Sequence, residues 1–388
     1  MMPSVQIVSD LAQFMALEPE WNALADRFAT PLVRHEWFAA CVAAYCEKRE
    51  LAVFVARRDG GVAAIAPFVV ERAGLVPRLM RLDHDAREPT PILYEDEQAL
   101  RAVMAAVARH GLPVVLPRLA ADSDDLRLFR ALPGRVGLRI VRFAMPAGTS
   151  VLLDGEWTTF EQRMSCKSRT YIRRKVKSAE RAGPVTLEVV CPDEGNVDRY
   201  LGEVLRVEAA GWKGRNGTAI LTDARARRFW RTYSRAAARL GMLRLFFLRI
   251  GDATAAVRMA VERAGRLWEL KIGYDERFAR HSPGILLTHE TLRYACRRGL
   301  AAHEFLGVAE PWHRWWPLET RPYASARSYP FSLAGGVALC EDAWRFGTRG
   351  MTRIARVSLR ERVLRWRTRT MLGAPFACEP AELLITLL

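Results

Sequence analysis

The sequence lacks the features that mark membrane-spanning, disulfide-stabilised and metal-binding proteins. No apolar run reaches the ~18 residues needed to cross a bilayer, and the first residues do not resemble a signal peptide. The seven cysteines include no C-x-x-C pair, and the seven histidines show no spacing such as H-E-x-x-H. We therefore expect a cytoplasmic protein, soluble or peripheral to the inner membrane, without a disulfide framework or a bound metal.

The chain is instead rich in apolar and basic side chains. Its 388 residues are 50% apolar, which is enough for two hydrophobic cores and argues against general disorder. The formal net charge is +16, and a field of this size attracts polyanions such as nucleic acid, anionic lipid or a nucleotide phosphate. An arginine bias from a GC-rich genome would give the same excess, so both explanations stay open.

Two segments repeat the same order of elements. Residues 51–70 and 243–265 each contain two apolar strands around a Gly-containing turn, which is the pattern of a β-hairpin. Each is followed by a helix that ends before a glycine and then by an apolar strand, over 97–119 and 286–307. An internal repeat of this length predicts two similar α/β (α+β) lobes, with chance similarity of α/β segments as the alternative.

The repeat and the charge distribution suggest how the chain is divided. We place the lobes at 1–150 and 151–335, with a basic connecting helix at 165–183 that carries seven cations against one glutamate. A basic helical tail, 336–388, includes the stretch 351–369, where apolar side chains alternate with arginines. Both basic segments suit an anionic partner, such as nucleic acid or a membrane surface, and both also suit a simple solvated face.

Three blocks in the second lobe carry a resemblance to a known family. They read GWKGRNGTAI (211–220), LWELKIGYDERFARHSPGILL (267–287) and AHEFLGVAEPWHRWW (302–316). With the basic helix, they resemble the CelD-like family of GNAT acyltransferases, which is associated with exopolysaccharide and cellulose synthesis and is similar in architecture to Fem-type transferases. The resemblance implies tandem GNAT-like lobes, each a mixed central sheet flanked by helices, with the first lobe degenerate.

The same resemblance implies an activity and an acyl-donor site. The expected reaction moves an acyl group from acyl-CoA, such as acetyl-CoA, to an amine or hydroxyl of a small-molecule or saccharide acceptor in polysaccharide or cell-envelope biosynthesis. In a GNAT lobe the pantetheine lies between two splayed strands, and its diphosphate meets backbone N–H groups where the next helix begins. Arg280, Ser282, Gly284 and Ile285 would then bind the coenzyme.

The coenzyme loop departs from the usual GNAT pattern. Three residues separate Arg280 from Gly284, where typical members have two, and no second small residue follows at the expected place. Fem-type relatives with eroded loops use aminoacyl-tRNA, so that acyl donor is the first alternative. A non-catalytic basic binding protein is the second.

Acyl transfer to an amine or hydroxyl needs a base near the nucleophile. Glu269 is our first candidate, because a carboxylate half-buried among apolar strand residues can have a raised pKa. Glu310 and His313, in a block that resembles Glu-x-Tyr-Lys-x-x-Trp, are candidates to bind the acceptor or relay a proton. The remaining candidates, which we expect to bind the acceptor, are Trp212, Lys213, Trp268, Lys271, Asp275 and Trp312.

Overall fold

A computed structural model of the protein describes residues 3–133, 137–153, 155–346 and 384–386. Most of the predicted tail, including the basic stretch 351–369, lies outside the described residues. In the described part of the chain, no helix combines the length and apolar character that a membrane span requires.

The described elements form one large mixed sheet with helices packed on it. The strands are β1 (Ser4–Val8), β2 (Glu50–Arg58), β3 (Gly61–Glu71), β4 (Arg78–Arg81), β5 (Leu93–Tyr94), β6 (Val114–Ala120), β7 (Leu138–Leu152), β8 (Val185–Val190), β9 (Leu243–Ile250), β10 (Ala253–Arg263), β11 (Arg266–Tyr274), β12 (Ala302–Glu304), β13 (Glu319–Tyr329) and β14 (Leu384–Thr386). The helices are α1 (Leu11–Ala16), α2 (Glu18–Ala25), α3 (His35–Tyr45), α4 (Glu97–Arg109), α5 (Asp124–Ala131), α6 (Trp157–Arg163), α7 (Cys166–Glu180), α8 (Val197–Ala209), α9 (Trp212–Arg215), α10 (Ala224–Arg239), α11 (Pro283–Arg297) and α12 (333–346).

The sheet consists of two halves with the same internal order. The strands lie in the order β1-β2-β3-β4-β6-β13-β7-β12-β11-β10-β9-β8. The antiparallel hairpin β2–β3 corresponds to β9–β10, and the parallel pair β4–β6 corresponds to the parallel pair β11–β12. The α/β class with mixed, helix-flanked sheets, predicted from the sequence, is confirmed.

The two halves are joined by an exchange of strands. β7 follows the first half in the chain but pairs with β12 of the second half, and β13 follows β12 but pairs with β6 of the first. β7 and β13 also pair with each other along most of their length. The domain boundary that we place at 150 therefore falls inside β7, in a sheet that is continuous across both halves.

A hydrophobic core that crosses the lobe junction fixes the two halves relative to each other. Trp37 of α3 is fully buried, with its ring centroid 4.9 Å from that of Phe229 and 4.8 Å from that of Tyr233, both on α10. Burying large aromatic side chains of this kind contributes a few kcal/mol each. Side chains of the first lobe are therefore held in fixed positions beside the second lobe.

The basic segment before β8 is an ordinary capped helix. The side chain of Ser165 accepts a hydrogen bond from the Ser168 amide at 3.0 Å, which satisfies one of the amides left free at the start of α7. Ile172 and Ala179 are buried and attach the helix to the body, whereas Arg173 keeps 70% of its side chain exposed. Most cations of α7 face outward in the same way, whereas Arg169 and Lys175 are half-buried.

Candidate functional site

A cavity opens where two parallel strands of the second lobe separate. β11 and β12 pair only from Arg266 with Ala302 to Trp268 with Glu304, and β11 then continues alone on this side to Tyr274. The resulting space has a volume of about 690 Å³. It is lined by β11 beyond Trp268, the α8–α9 corner, the start of α11, the chain after β12 and a residue of the first lobe. We call it the donor cavity.

Close approach of α8 to β11 forms one wall of the donor cavity. A Cβ atom on Gly273 would lie 2.6 Å from the Cα of Glu208, and one on Gly211 would lie 2.8 Å from the carbonyl oxygen of Tyr274, so both positions require glycine. This contact places Trp212 and Lys213 on the lining. Lys213 Nζ donates to the Ile272 carbonyl at 2.9 Å, while Trp212 remains 48% exposed.

The start of α11 closes the opposite end of the donor cavity. Ser282 adopts a left-handed conformation (φ 55°) before Pro283 begins the helix, and Ser282, Gly284 and Ile285 all line the cavity. The amides of Ile285 and Leu286 both bond to the Ser282 carbonyl, at 3.0 and 3.2 Å. Among the backbone amides of residues 282–286, only that of Gly284 lacks a hydrogen-bond partner within the described residues. The free amides expected for a diphosphate are therefore largely bonded internally, which corrects that expectation.

The basic helix α7 supports the turn that precedes α11. Tyr171 and Ser282 share a hydrogen bond between their hydroxyls at 3.0 Å, and Lys175 Nζ donates to the Arg280 carbonyl at 2.6 Å. Arg280 itself is exposed, with its Nε atom 2.9 Å from Nε2 of His281, and it is not part of the cavity lining. The predicted coenzyme-binding set is thus divided: its cation lies on the rim, and the other three residues line the cavity.

Glu269 lines the donor cavity but is already paired. Its carboxylate lies 2.8 Å from Nε of the fully buried Arg258 and 3.6 Å from Nε2 of His303. Burial alone would raise the pKa of Glu269, but these two partners lower it below its usual value. The raised pKa that we expected is wrong, because the pattern of the β11 strand does not reveal a cation on the neighbouring strand.

His313 lines the donor cavity as a neutral side chain. Burial, the largest influence, lowers its pKa to about 4. Its Nδ1 atom accepts a hydrogen bond from the Glu310 amide at 3.0 Å, so the neutral ring carries its proton on Nε2. That Nε2 atom is buried and has no partner within the described residues. His313 can therefore donate a hydrogen bond but is poorly placed to act as a base, while Glu310 lies exposed at the rim.

The first lobe contributes a carboxylate that no sequence motif indicated. Glu88, in the segment between β4 and β5, lines the donor cavity. Its Oε2 atom is buried without a hydrogen-bond partner in the described chain, and burial raises its pKa although Lys271 and Arg118 oppose the shift. Glu88 lies about 180 residues from Glu269 in sequence, so only the fold brings the two together.

Two residues close to Glu88 and to the end of β12 have strained backbone conformations. Arg87, next to Glu88, has φ 61°, and Leu306, just after β12, has φ 58°. The guanidinium group of Arg118 donates to the carbonyls of both residues. Non-glycine residues in this conformation cost of order 1 kcal/mol each and cluster at functional sites. Arg118 thus clamps the Glu88 segment to the end of β12.

The other predicted acceptor-binding residues are divided among three places. Lys271 and Trp312 line the donor cavity, and Lys271 lies 4.8 Å from the ring of Trp230, with burial lowering its pKa. Trp268 faces a separate, smaller cavity. Asp275 is outside both, because its carboxylate binds Arg277 and its side chain caps the 3₁₀ turn that follows. In the described residues no three potential metal ligands of the His, Cys, Asp or Glu type cluster together.

Comparisons with known proteins support the class of protein that this geometry suggests. Residues 167–314 match the family model described as Acetyltransferase (GNAT) domain. No protein of curated function matches the chain in sequence. The segment that builds most of the donor cavity therefore matches a GNAT acetyltransferase domain, whereas the CelD-like assignment stays a prediction.

Several solved structures share the fold across both lobes. FemX aligns with a TM-score of 0.56 and 10% identity, over 83% of this chain and 96% of that chain. The C-terminal domain (DUF2156) of a putative lysylphosphatidylglycerol synthetase from Agrobacterium fabrum aligns with a TM-score of 0.51 and 14% identity, over 85% of this chain and 96% of that chain. L-PGS from Bacillus licheniformis also aligns with a TM-score of 0.51 and 14% identity, over 84% of this chain and 95% of that chain. At these identities the likeness concerns the fold alone.

Proposed function

We propose that the protein transfers an acyl group from acyl-CoA to an amine or hydroxyl acceptor. The observation that carries this proposal is the donor cavity, which is lined mainly by the segment that matches the GNAT domain and leads from the strand separation to the start of α11. Beyond Trp268 the edge of β11 has no strand partner on this side and is open to an extended pantetheine arm, although Lys213 already bonds to the Ile272 carbonyl. The helix dipole, the unbonded Gly284 amide and the nearby cations Lys175 and Arg280 favour the diphosphate at the other end.

Two groups of the donor cavity suit the chemical step. Attack of the acceptor nitrogen or oxygen on the thioester carbon forms a new C–N or C–O bond and releases the coenzyme thiolate, which takes up a proton from water. Glu88 accepts the proton that the nucleophile loses, since its raised pKa and unbonded Oε2 leave it available. His313 donates its Nε2–H to the oxyanion that develops on the carbonyl oxygen. Glu269 holds Arg258 and acts through position only.

An acceptor from polysaccharide or cell-envelope synthesis fits this site best. Aromatic side chains lie on both sides of the strand separation, with Trp312 in the donor cavity and Trp268 in the smaller cavity, and rings of this kind stack well on sugar rings. The resemblance of the sequence to Fem-type transferases agrees with an envelope acceptor, and the chain shares its fold with FemX and with a putative lysylphosphatidylglycerol synthetase. The outward cations of α7 would allow the enzyme to work at the cytoplasmic side of the inner membrane, or to hold a nucleic acid.

An aminoacyl-tRNA acyl donor is the second candidate. The amides of Ile285 and Leu286 are bonded internally, which weakens the case for a coenzyme diphosphate. FemX has the same fold, and the exposed cations of α7 lie beside the turn where either acyl donor would enter. A non-catalytic basic binding protein remains the third candidate.

Binding and turnover of acetyl-CoA distinguish these candidates. The purified protein is incubated with acetyl-CoA, and thermal stabilisation together with slow release of free thiol is the expected result. Binding of aminoacyl-tRNA without any response to CoA thioesters would contradict the proposal in favour of the second candidate. Salt-sensitive binding of nucleic acid, with neither activity, would favour the third.

A further inference from the structure

A second cavity lies on the other side of the strand separation. It has a volume of about 270 Å³ and is formed by both lobes. Trp268 and Glu304, the last paired residues of β11 and β12, line this smaller cavity. The next residues along each strand, Glu269 and Phe305, line the donor cavity instead. Because successive residues of a strand point to opposite faces, the two cavities lie on opposite faces of the sheet, beside the point where the strands separate.

The groups assigned to the chemical step lie between the two cavities. Thr149 lines the smaller cavity, and its Oγ1 atom is 3.4 Å from Nδ1 of His313, which lines the donor cavity. Pro89 lines the smaller cavity and directly follows Glu88, which lines the larger one. The candidate base and the candidate oxyanion partner thus each lie next to a residue that lines the smaller cavity.

The walls of the smaller cavity combine aromatic rings with cations that have no carboxylate partner. Arg118 lies 5.2 Å from the ring centroid of Tyr323 and donates only to backbone carbonyls, and Arg321 makes no ion pair within the described residues. The acidic residues on the same walls are already engaged. Glu304 pairs with Arg266, and Asp125 accepts the Ile92 amide at 2.8 Å.

We propose that the smaller cavity binds an acceptor amine that also carries a phosphate or carboxylate group. Arg321 at the mouth, with the remaining N–H groups of Arg118, binds the anion. The ring of the acceptor packs against Trp268 and Tyr323, and its amine reaches through the strand separation to Glu88. This inference rests on the proposed function, because it assigns the class of acceptor for the same reaction.

The size of the cavity agrees with a small cyclic acceptor. Ligand pockets are typically of the order of 300 to 1,000 Å³, so about 270 Å³ holds one sugar or aromatic ring rather than a long polymer. A larger acceptor could place only its terminal unit here. The anionic group would then belong to that unit or to the one next to it.

Three matched probes test the assignment. Glucosamine, glucosamine 6-phosphate and muramic acid share an amino-sugar ring and differ in carrying no anion, a phosphate or a carboxylate. Calorimetry should give a Kd for at least one anionic probe about tenfold or more below that of glucosamine, as expected for charge-assisted hydrogen bonds to arginine. Arg321→Gln should remove this difference. Arg225→Gln, an exposed arginine at the start of α10, is the control and should leave the difference unchanged.

Measuring thiol release from acetyl-CoA without an acceptor distinguishes failure of the anionic acceptor site from failure of the proposed acyl transfer. If thiol is released but all three probes bind equally or none binds, the anionic acceptor is contradicted and the proposed function stands. Equal affinities of the Arg321→Gln variant and the unaltered protein for the anionic probes would contradict it as well. If thiol release and CoA binding are both absent while the anionic probes still bind at Arg321, the ligand site stands and the proposed function fails.

Discussion

Replacing Glu88 by Gln tests the most unexpected residue of the site. The change keeps the size of the side chain but removes the carboxylate whose Oε2 atom is buried without a partner. Because a positioned general base contributes roughly 10²- to 10⁴-fold, kcat for acyl transfer should fall by about 10²-fold or more. Folding stability should not fall, since burial raises the pKa of Glu88 and so already disfavours its charged form.

The assay is thiol release from acetyl-CoA in the presence of an amine acceptor, measured as a function of pH. In the unaltered protein, kcat should rise with pH through a pKa above the ordinary value of about 4.5, and this limb should disappear in Glu88→Gln. Glu95→Gln, an exposed carboxylate in the same lobe, is the matched control. Unchanged kcat and an unchanged acid limb in Glu88→Gln would refute the assignment of the base.

Three further substitutions test how residues around the two cavities contribute to folding stability. Burial raises the pKa of Asp125 to about 6, so the free energy of unfolding should fall as pH rises from about 4 to 6. The Asp125→Asn variant can still accept the hydrogen bond from the Ile92 amide. Urea denaturation should show this variant to be more stable than the unaltered protein by about 1 to 3 kcal/mol at pH 7, with no gain near pH 4. Gly273→Ala should cost about 1 to 3 kcal/mol, because its Cβ would meet the backbone of α8. Arg258→Met should cost about 3 to 5 kcal/mol by leaving Glu269 buried and unpaired, and adding Glu269→Gln should recover much of that loss in thermal denaturation.

Local patterns in the sequence were sufficient to predict the two hairpins and part of the candidate site. The hairpins at 51–70 and 243–265 follow from apolar runs around glycine turns, and the structure has strands at both. Ser282, Gly284 and Ile285 line the donor cavity because they surround the start of a helix after a strand, which is a local feature. Such features depend on neighbours in the chain and are therefore visible in one sequence.

The features that the sequence did not reveal depend on contacts between distant segments. The exchange of β7 and β13 concerns which strands pair with each other, and the sequence of an apolar strand does not indicate its pairing partner. The lowered pKa of Glu269 comes from Arg258 on the next strand, and Glu88 reaches the cavity from the other lobe. Arg280 belongs to the predicted coenzyme-binding set, but it is exposed on the rim, in the 3₁₀ turn before α11.

In the proposed function, the start of α11 binds the diphosphate of a coenzyme A thioester. Calorimetric titration of CoA into Gly284→Glu and Gly284→Gln tests it directly, because a Cβ at this position meets only Tyr274, at 3.9 Å, so neither variant should disturb the fold. The two side chains are of similar size and differ in charge. We expect the Kd of the Glu variant to be about tenfold or more higher than that of the Gln variant, because the carboxylate repels the phosphates. Equal CoA affinities for the two variants would contradict it.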